Sequence, residues 1–217
     1  MSWPTSRIFV RIGSGLIAVL GMWAQIPCAT AAEVAVTETI VLIRHGEKPA
    51  LGLGQLDCQG LNRALALPAV IGQLFGKPDA IFAPDPAQTK EDHGHPYDYV
   101  RPLATIEPTA IAFGLPVDAS IGVSNIETLE QRLSTAEYRG ALVLVAWEHK
   151  RIVDLARLLM SRQGGDPAAI PYWKDDDFDS IDVIRISRTD AGATASFEQR
   201  HEGLNGQATS CPGRVPG

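Results

Sequence analysis

Two uninterrupted apolar runs, Thr39-Ile40-Val41-Leu42-Ile43 and Ala141-Leu142-Val143-Leu144-Val145-Ala146, constrain this chain more than any other feature. Runs of this length, rich in β-branched residues and free of polar alternation, suit strands buried on both faces of a sheet. Such a sheet has to be covered by helices on both sides, and the rest of the sequence supplies them. Asp79-Ala80-Ile81-Phe82-Ala83 predicts a third, shorter strand stopped by Pro84, while residues 180–186 alternate and pair with residues 194–198 as a more exposed part of the sheet. Helical spacing runs over residues 60–75 (Leu61, Leu65, Val70, Ile71, Leu74), with a kink or junction at Pro68. It returns over residues 101–113, interrupted by Pro108. Asn125 can cap a helix over residues 126–133, and residues 150–162 form an amphipathic helix with Ile152, Leu155, Leu158 and Leu159 on its apolar face. Strands alternating with helices predict a single three-layer α/β/α sandwich around a mainly parallel central sheet. Residues 84–100 read as a long polar loop, and in a compact domain such a loop is often functional, for example as a lid.

The N-terminal segment reads differently. Arg7 and Arg11 precede an apolar stretch from Ile12 to Ile26, and Ala29-Thr30-Ala31 fits the small-residue pattern before a signal-peptide cut. The stretch is shorter than the roughly 20 residues that span a bilayer, which favours a cleaved leader over an uncleaved anchor. Gln25-Ile26-Pro27 makes a poor lipobox ahead of Cys28. The expectation is a signal peptide over residues 1–32 and a periplasmic or secreted domain over residues 33–217, with no stable membrane association after cleavage. The sequence says nothing of oligomeric state.

Removing Arg7 and Arg11, and no acid, takes the formal charge from −6 to −8. An acidic surface without basic runs argues against nucleic acid or an anionic membrane as partner, so any anion site must be local. Export would also leave Cys58 and Cys211 where disulfides form. A bond between them, rather than two separate thiols, would clamp the Gly- and Pro-rich tail onto the domain.

In open parallel sheets, ligands gather at the carboxyl ends of the strands. The first apolar run ends in Arg44-His45-Gly46-Glu47 and the second in Trp147-Glu148-His149. Two histidines and an arginine should therefore meet at one edge of the sheet. A guanidinium binds phosphoryl oxygens through a planar fork, a neutral imidazole can attack phosphorus, and Gly46 leaves room for close approach. Arg101, which opens a helix soon after the Ile81-Phe82 strand, is the natural second arginine. Its rival, Arg63, reads as a helix-surface residue.

Val41-Leu42-Ile43-Arg44-His45-Gly46-Glu47 resembles the Arg-His-Gly signature of the histidine phosphatase superfamily, which includes phosphoglycerate mutases and acid phosphatases. The resemblance covers most of the mature chain and implies a phosphoglycerate mutase-like fold. It further implies a phosphoric monoester hydrolase that needs no metal or other cofactor and acts on a small phosphorylated substrate. In it, His45 matches the histidine that is phosphorylated, Arg44 the arginine beside it, Arg101 the second arginine and His149 the second histidine. The implied mechanism has two steps: His45 attacks phosphorus in line, then water hydrolyses the phosphohistidine. Arg44, Arg101, His149 and Gly46 would hold the phosphoryl group. Mutase activity is not expected, because export removes the phosphorylated primer and the sugar-phosphate pool.

The general acid is less defined. The mutase-like branch places a glutamate after the second arginine; the acid-phosphatase branch places an acid directly after the second histidine, where this chain has Lys150. Glu148, Glu107 and Glu47 are the candidates, in that order, and a phosphohistidine or phosphoanhydride substrate would need none of them. His93-Gly94-His95, with Asp92 and Asp98 nearby, could bind zinc, although a solvated loop is the commoner outcome. Lys90 reads as exposed. Asp175-Asp176-Asp177 and Asp179 read as a solvated turn without the spacing of a calcium loop, with Trp173 and Phe178 beside the pocket. Two other classes stand beside the phosphatase: a non-catalytic phosphate-binding module, and a metal-dependent hydrolase built on His93 and His95.

Overall fold

In the computed structural model, which describes residues 1–2 and 36–213, the first apolar run is an interior strand of a six-stranded sheet. The chain divides into two units, Met1–Ala32 and Glu33–Gly217, and the sheet belongs to the second. Beyond its first two residues, the leader expected over residues 1–32 lies outside the described residues. Strand β1 (Val36–Arg44) pairs in parallel with β6 (Leu142–Trp147), which pairs in parallel with β2 (Ala80–Pro84). On its other side β1 pairs antiparallel with β7 (Ser180–Thr189), and β7 pairs antiparallel with β8 (Gly192–His201). The sequence also hides a strand: β5 (Val117–Ile121) lies parallel to β2 at the sheet edge. Its Asp118 and Ser120 break the apolar pattern, as an edge position allows.

The unbroken apolar runs have a direct cause in the packing. Ile40 and Leu42 of β1 share a core with Leu129 and Leu133 of α3 (Ile126–Leu133) and with Ile152, Leu155 and Leu159 of α4 (His149–Arg162). Val41 and Ile43 face the opposite core, with Leu67 and Ile71 of α1 (Cys58–Leu74) and Ile106 and Ala110 of α2 (Arg101–Phe113). Both faces are therefore dry, and each such side chain contributes about 1.5–3 kcal/mol by leaving water.

Three expectations change. Helices α1 and α2 continue through Pro68 and Pro108, so neither proline is a junction or an interruption. Each proline loses one backbone bond at a cost of about 3 kcal/mol, which the apolar faces packed on the sheet outweigh. Asn125 precedes α3 but makes no side-chain capping bond. Residues 84–100 are a hairpin rather than an unstructured loop, with β3 (Thr89–Asp92) antiparallel to β4 (His95–Asp98). Its turn residues His93 and Gly94 have φ of 51° and 83°. Two successive positive φ values make a tight hairpin turn, and that accounts for the glycine between the two histidines.

Cys58 opens α1 and is bonded to Cys211, with their Cα atoms 4.5 Å apart. Asn62, one turn along the helix, donates from Nδ2 to the carbonyls of Ala208 (2.7 Å) and Ser210 (2.9 Å). The tail is thus fastened to the start of α1, close to the loop that carries His45. The bond spans 153 residues of sequence, and constraining so long a loop stabilises a fold by about 3–5 kcal/mol. Replacing both cysteines by serine is expected to lower the urea midpoint by an amount equivalent to that range, with the unfolding slope rising as the unlinked chain expands.

Candidate active site

The parallel register sets Arg44 opposite Trp147, and the His45 N–H donates to the Trp147 carbonyl at 3.1 Å. The segments that follow β1 and β6 therefore leave the sheet side by side. A Cβ on Gly46 would lie 3.0 Å from the Gly60 Cα, and one on Gly60 would lie 2.3 Å from the Glu47 carbonyl oxygen. The loop after β1 and the first turn of α1 thus meet backbone to backbone, which only glycine permits at these positions. The Gly46 N–H donates to Thr105 Oγ1 (2.9 Å), whose own hydroxyl donates to the Arg101 carbonyl (2.8 Å). Loop, α1 and α2 are locked around one residue, His45.

His45 is only 3% exposed. Its Nδ1 lies 2.8 Å from the Gly46 carbonyl, so Nδ1 carries the proton and the lone pair sits on Nε2. Burial pushes its pKa well below the usual histidine value, and the positive charges of Arg101, Arg44 and Lys90 act in the same direction. The ring is held neutral, with a fixed tautomer and one free nitrogen.

Two arginines flank it. Arg44 Nη1 donates to the carbonyls of Lys174 (3.3 Å), Asp175 (2.9 Å) and Asp177 (2.8 Å), and Phe178 stacks on the guanidinium at 3.9 Å. Arg101 is the first residue of α2; its Nη1 donates to Asp92 Oδ2 (2.6 Å) and to the Gly52 carbonyl (3.3 Å). Asp92 comes from the end of β3, so the hairpin positions the second arginine. Burial opposes the charge of Asp92, but the Arg101 bond and the Gly54 N–H (3.1 Å) outweigh it and hold its pKa below the usual carboxylate value. Between the arginines stands Tyr99, fully buried, with its ring 6.0 Å from that of His45 and 4.8 Å from the Arg101 guanidinium.

His149 opens α4 at the end of β6. Its Nε2 meets Asp175 Oδ1 at 2.7 Å, and its Nδ1 lies 3.0 Å from Glu148 Oε1 without hydrogen-bond alignment. Glu148 caps α4 by accepting from the Arg151 N–H at 3.2 Å. Burial works against its charge, yet the His149 contact, Lys90 (3.8 Å) and that N–H bring its pKa down to about 2. Lys90, expected at the surface, is half-buried, with its ammonium 5.0 Å from the Tyr99 ring centre. A cavity of ≈ 570 Å³ opens beside Glu148, with Lys90, Val123, Ser124, Lys150 and Arg151 among its lining.

Arg44, His45, Gly46, Arg101 and His149 are therefore brought together, and the acid candidates fare differently. Glu148 reaches the site but holds a carboxylate with no proton at neutral pH. Glu107 lies exposed on α2, away from the face that carries Arg101 and Thr105. Glu47 is bound by Arg63, through Nη2 to Oε1 (2.7 Å) and Nε to Oε2 (3.0 Å). Arg63 itself corrects a sequence expectation. It is completely buried rather than on a helix surface, and it also meets Glu202 (2.6 Å) and Asp179 (3.4 Å). Helical spacing hid this, because its carboxylate partners come from three separate loops. The acidic turn is likewise more than solvated: Asp177 accepts from Ser180 and Asp179, Asp175 clasps His149, and Phe178 covers Arg44. Phe178 was expected beside the pocket, whereas Tyr99 was missed, because nothing local distinguishes it from Tyr97 two residues before it. Among the described residues, no group of three or more His, Cys, Asp or Glu side chains is placed to hold a metal ion, the His93–His95 turn included.

No family model matches the chain, and no curated protein matches it in sequence. Solved structures do. The chain is similar to a protein from Nakamurella multipartitia assigned as the phosphohistidine phosphatase SixA, at 15% identity and a TM-score of 0.51 over 76% of this chain and 96% of that one. It is also similar to a mycobacterial glucosyl-3-phosphoglycerate phosphatase solved with inorganic phosphate, at 15% identity and a TM-score of 0.52 over 74% of this chain and 95% of that one. The six-stranded, mostly parallel sheet with its four helices is the phosphoglycerate mutase-like fold of histidine phosphatases.

Two measurements follow from the site's charges. Burial raises the Glu202 pKa to about 7 against the pull of Arg63, so the native state keeps a proton that the unfolded chain releases near pH 4.3. Stability from this group is therefore lost as pH rises from about 4.3 to 7, whereas the depressed His45 value acts in the opposite sense. Comparing Glu202→Gln with the wild type isolates the carboxyl: the difference in unfolding free energy should move toward the variant by about 2 kcal/mol between pH 5 and pH 8. Asp175 is an anion held on His149, so Asp175→Ala is expected to tighten inorganic phosphate binding by roughly three- to tenfold, read by calorimetric titration.

Proposed function

We propose that this chain is an exported member of the histidine phosphatase superfamily and hydrolyses a small phosphorylated compound through a phosphohistidine on His45. One observation carries the proposal. Beside a neutral, tautomer-locked His45 lie Nε of Arg44 and Nε of Arg101, buried and without hydrogen-bond partners, and Nδ1 of His149, buried with only the misaligned Glu148 carboxylate at 3.0 Å. Buried polar atoms rarely stay unpaired, and such atoms on two arginines and a histidine at one sheet edge fit a phosphoryl group with its oxygens toward the donors.

The reaction is written in two steps. The Nε2 lone pair of His45 attacks phosphorus, the bond to the leaving oxygen breaks, and Arg44, Arg101 and His149 spread the charge of the transferring group. Water then attacks phosphorus, the P–N bond breaks, and His45 returns to its neutral form with phosphate released. The charge that phosphoryl transfer requires comes from side chains, so the scheme calls for no metal. Glu148 with its pKa of about 2, Glu107 on the exterior and Glu47 bound to Arg63 offer no proton to a leaving group. That favours substrates whose leaving group needs none, such as aryl phosphates, phosphohistidine or phosphoanhydrides. Export is supported by the leader pattern of residues 1–32 and by the Cys58–Cys211 bond, which belongs in an oxidising compartment.

The near-complete burial of His45 also suits a non-catalytic phosphate-binding module, and turnover separates the two. With chelator present, the wild type is expected to hydrolyse an aryl phosphate and to yield an acid-labile, base-stable phosphoenzyme on rapid quenching. His45→Ala should lose both, with a rate loss of about a thousandfold or more. Phosphate binding without turnover would leave the binding module; loss of activity with chelator would return the metal-dependent class.

A further inference from the structure

Among the described residues, eight buried side-chain nitrogen or oxygen atoms have no hydrogen-bond partner, and the hydroxyl of Tyr99 is one of them. The side chain is 0% exposed, so no water replaces the missing bond at its surface. A buried hydroxyl left unpaired costs a fold about 1–3 kcal/mol, which is a reason to ask what it awaits.

Its surroundings answer in part. The ring of Tyr99 stands edge-on to His45, with centroids 6.0 Å apart and planes at 90°. The Arg101 guanidinium lies 4.8 Å from the ring centre and the Lys90 ammonium 5.0 Å. Arg101 also lies within reach of the hydroxyl oxygen without full hydrogen-bond geometry, and Arg44 and Glu148 act on the phenol electrostatically, so the hydroxyl sits where the fields of both arginines overlap. Burial raises its pKa above the usual tyrosine value, which keeps the proton in place. The backbone holds it firmly: the Tyr99 N–H donates to the carbonyls of Pro86 (3.2 Å) and Gln88 (3.1 Å), at the base of the hairpin. A rigid, protonated O–H whose hydrogen meets no acceptor, among cations and beside the candidate nucleophile, is suited to an anion.

We propose that Tyr99 is a catalytic residue of this site, its hydroxyl donating a hydrogen bond to an oxygen of the bound phosphoryl group alongside Arg44, Arg101 and His149. The assignment rests on the phosphate site proposed above and adds to it a neutral donor that moves no charge into the pocket. Because Tyr99 comes from the hairpin base and Arg101 from the helix that follows, one segment delivers both. Lys90, over the same ring, faces the cavity beside Glu148 and marks the side on which the rest of the substrate lies.

Tyr99→Phe keeps the ring and deletes only the hydroxyl. Calorimetric titration of inorganic phosphate, and of orthovanadate as a mimic of the transferring group, would be made on both proteins, together with melting curves without ligand. A lost hydrogen bond to a charged ligand is expected to weaken both anions by about ten- to a hundredfold. Melting of the ligand-free variant should be unchanged or slightly higher, because an unpaired buried hydroxyl has been removed. Equal anion affinity in the two proteins would overturn the proposal. So would a lower melting temperature accompanying the weaker binding, which would assign the hydroxyl to packing. A wild type that binds phosphate through Tyr99 but hydrolyses no ester would end the proposed function and leave this inference standing, whereas a wild type that binds no phosphate would end both.

Discussion

The parallel pairing of β1 with β6 is the constraint on which the site depends. Once Arg44 lies opposite Trp147, the residues that follow each strand have to emerge together at the same edge. The register is not free to slip, because a shift of one residue would turn Ile40 and Leu42 toward α1 and α2 and send Val41 and Ile43 to the other core. Hydrophobic packing on two faces thus fixes the placement of two histidines that belong to neither hydrophobic core. The site inherits its geometry from the core beneath it.

Around that edge the structure solves an electrostatic problem. The protein is acidic overall, yet it gathers Arg44, Arg101 and Lys90 beside a buried imidazole. Each cation is held by a group that leaves some of its donors open. Arg44 is anchored by three backbone carbonyls and Arg101 by Asp92, while Nε of each stays unpaired. Carbonyl anchoring is notable at Arg44, since neutral acceptors orient a guanidinium without cancelling its charge. Arg63 shows the opposite design. Its guanidinium is enclosed by Glu47, Glu202 and Asp179, and its place is to tie the loop after His45 to the segment after β8. The disulfide and Asn62 fasten the same tail to the same end of α1.

The segment from Lys174 to Phe178 closes over the site, with Asp175 on His149 and Phe178 on Arg44. The Asp175 carboxylate on His149 is itself largely exposed. His149 is thus covered by a carboxylate held by one hydrogen bond and by the nearby Lys150 at 3.7 Å.

Much of the fold was legible because burial leaves a local imprint. Double-sided strands have to be continuously apolar, and helices on a sheet have to be amphipathic, so among the described residues five of the eight strands and all four α-helices could be read directly. The pair of strand ends carrying Arg44-His45 and Glu148-His149 followed from the same pattern, while the pairing of Cys58 with Cys211 followed from their being the two cysteines outside the expected leader. The edge strand β5 and the β3–β4 hairpin were not legible, since strands that bury little need no apolar signature. Nor were the partners of the charged residues. Arg63 looks like any polar helical position until Glu47, Glu202 and Asp179 converge on it from distant segments, and Tyr99 looks like a loop aromatic until α2 brings Arg101 beneath it. By itself the sequence determined which residues lie in the core and which side chains stand at the strand ends. Only the tertiary structure decided which of those charges are spent on the protein and which remain open, because pairing depends on distances between segments that no local pattern records.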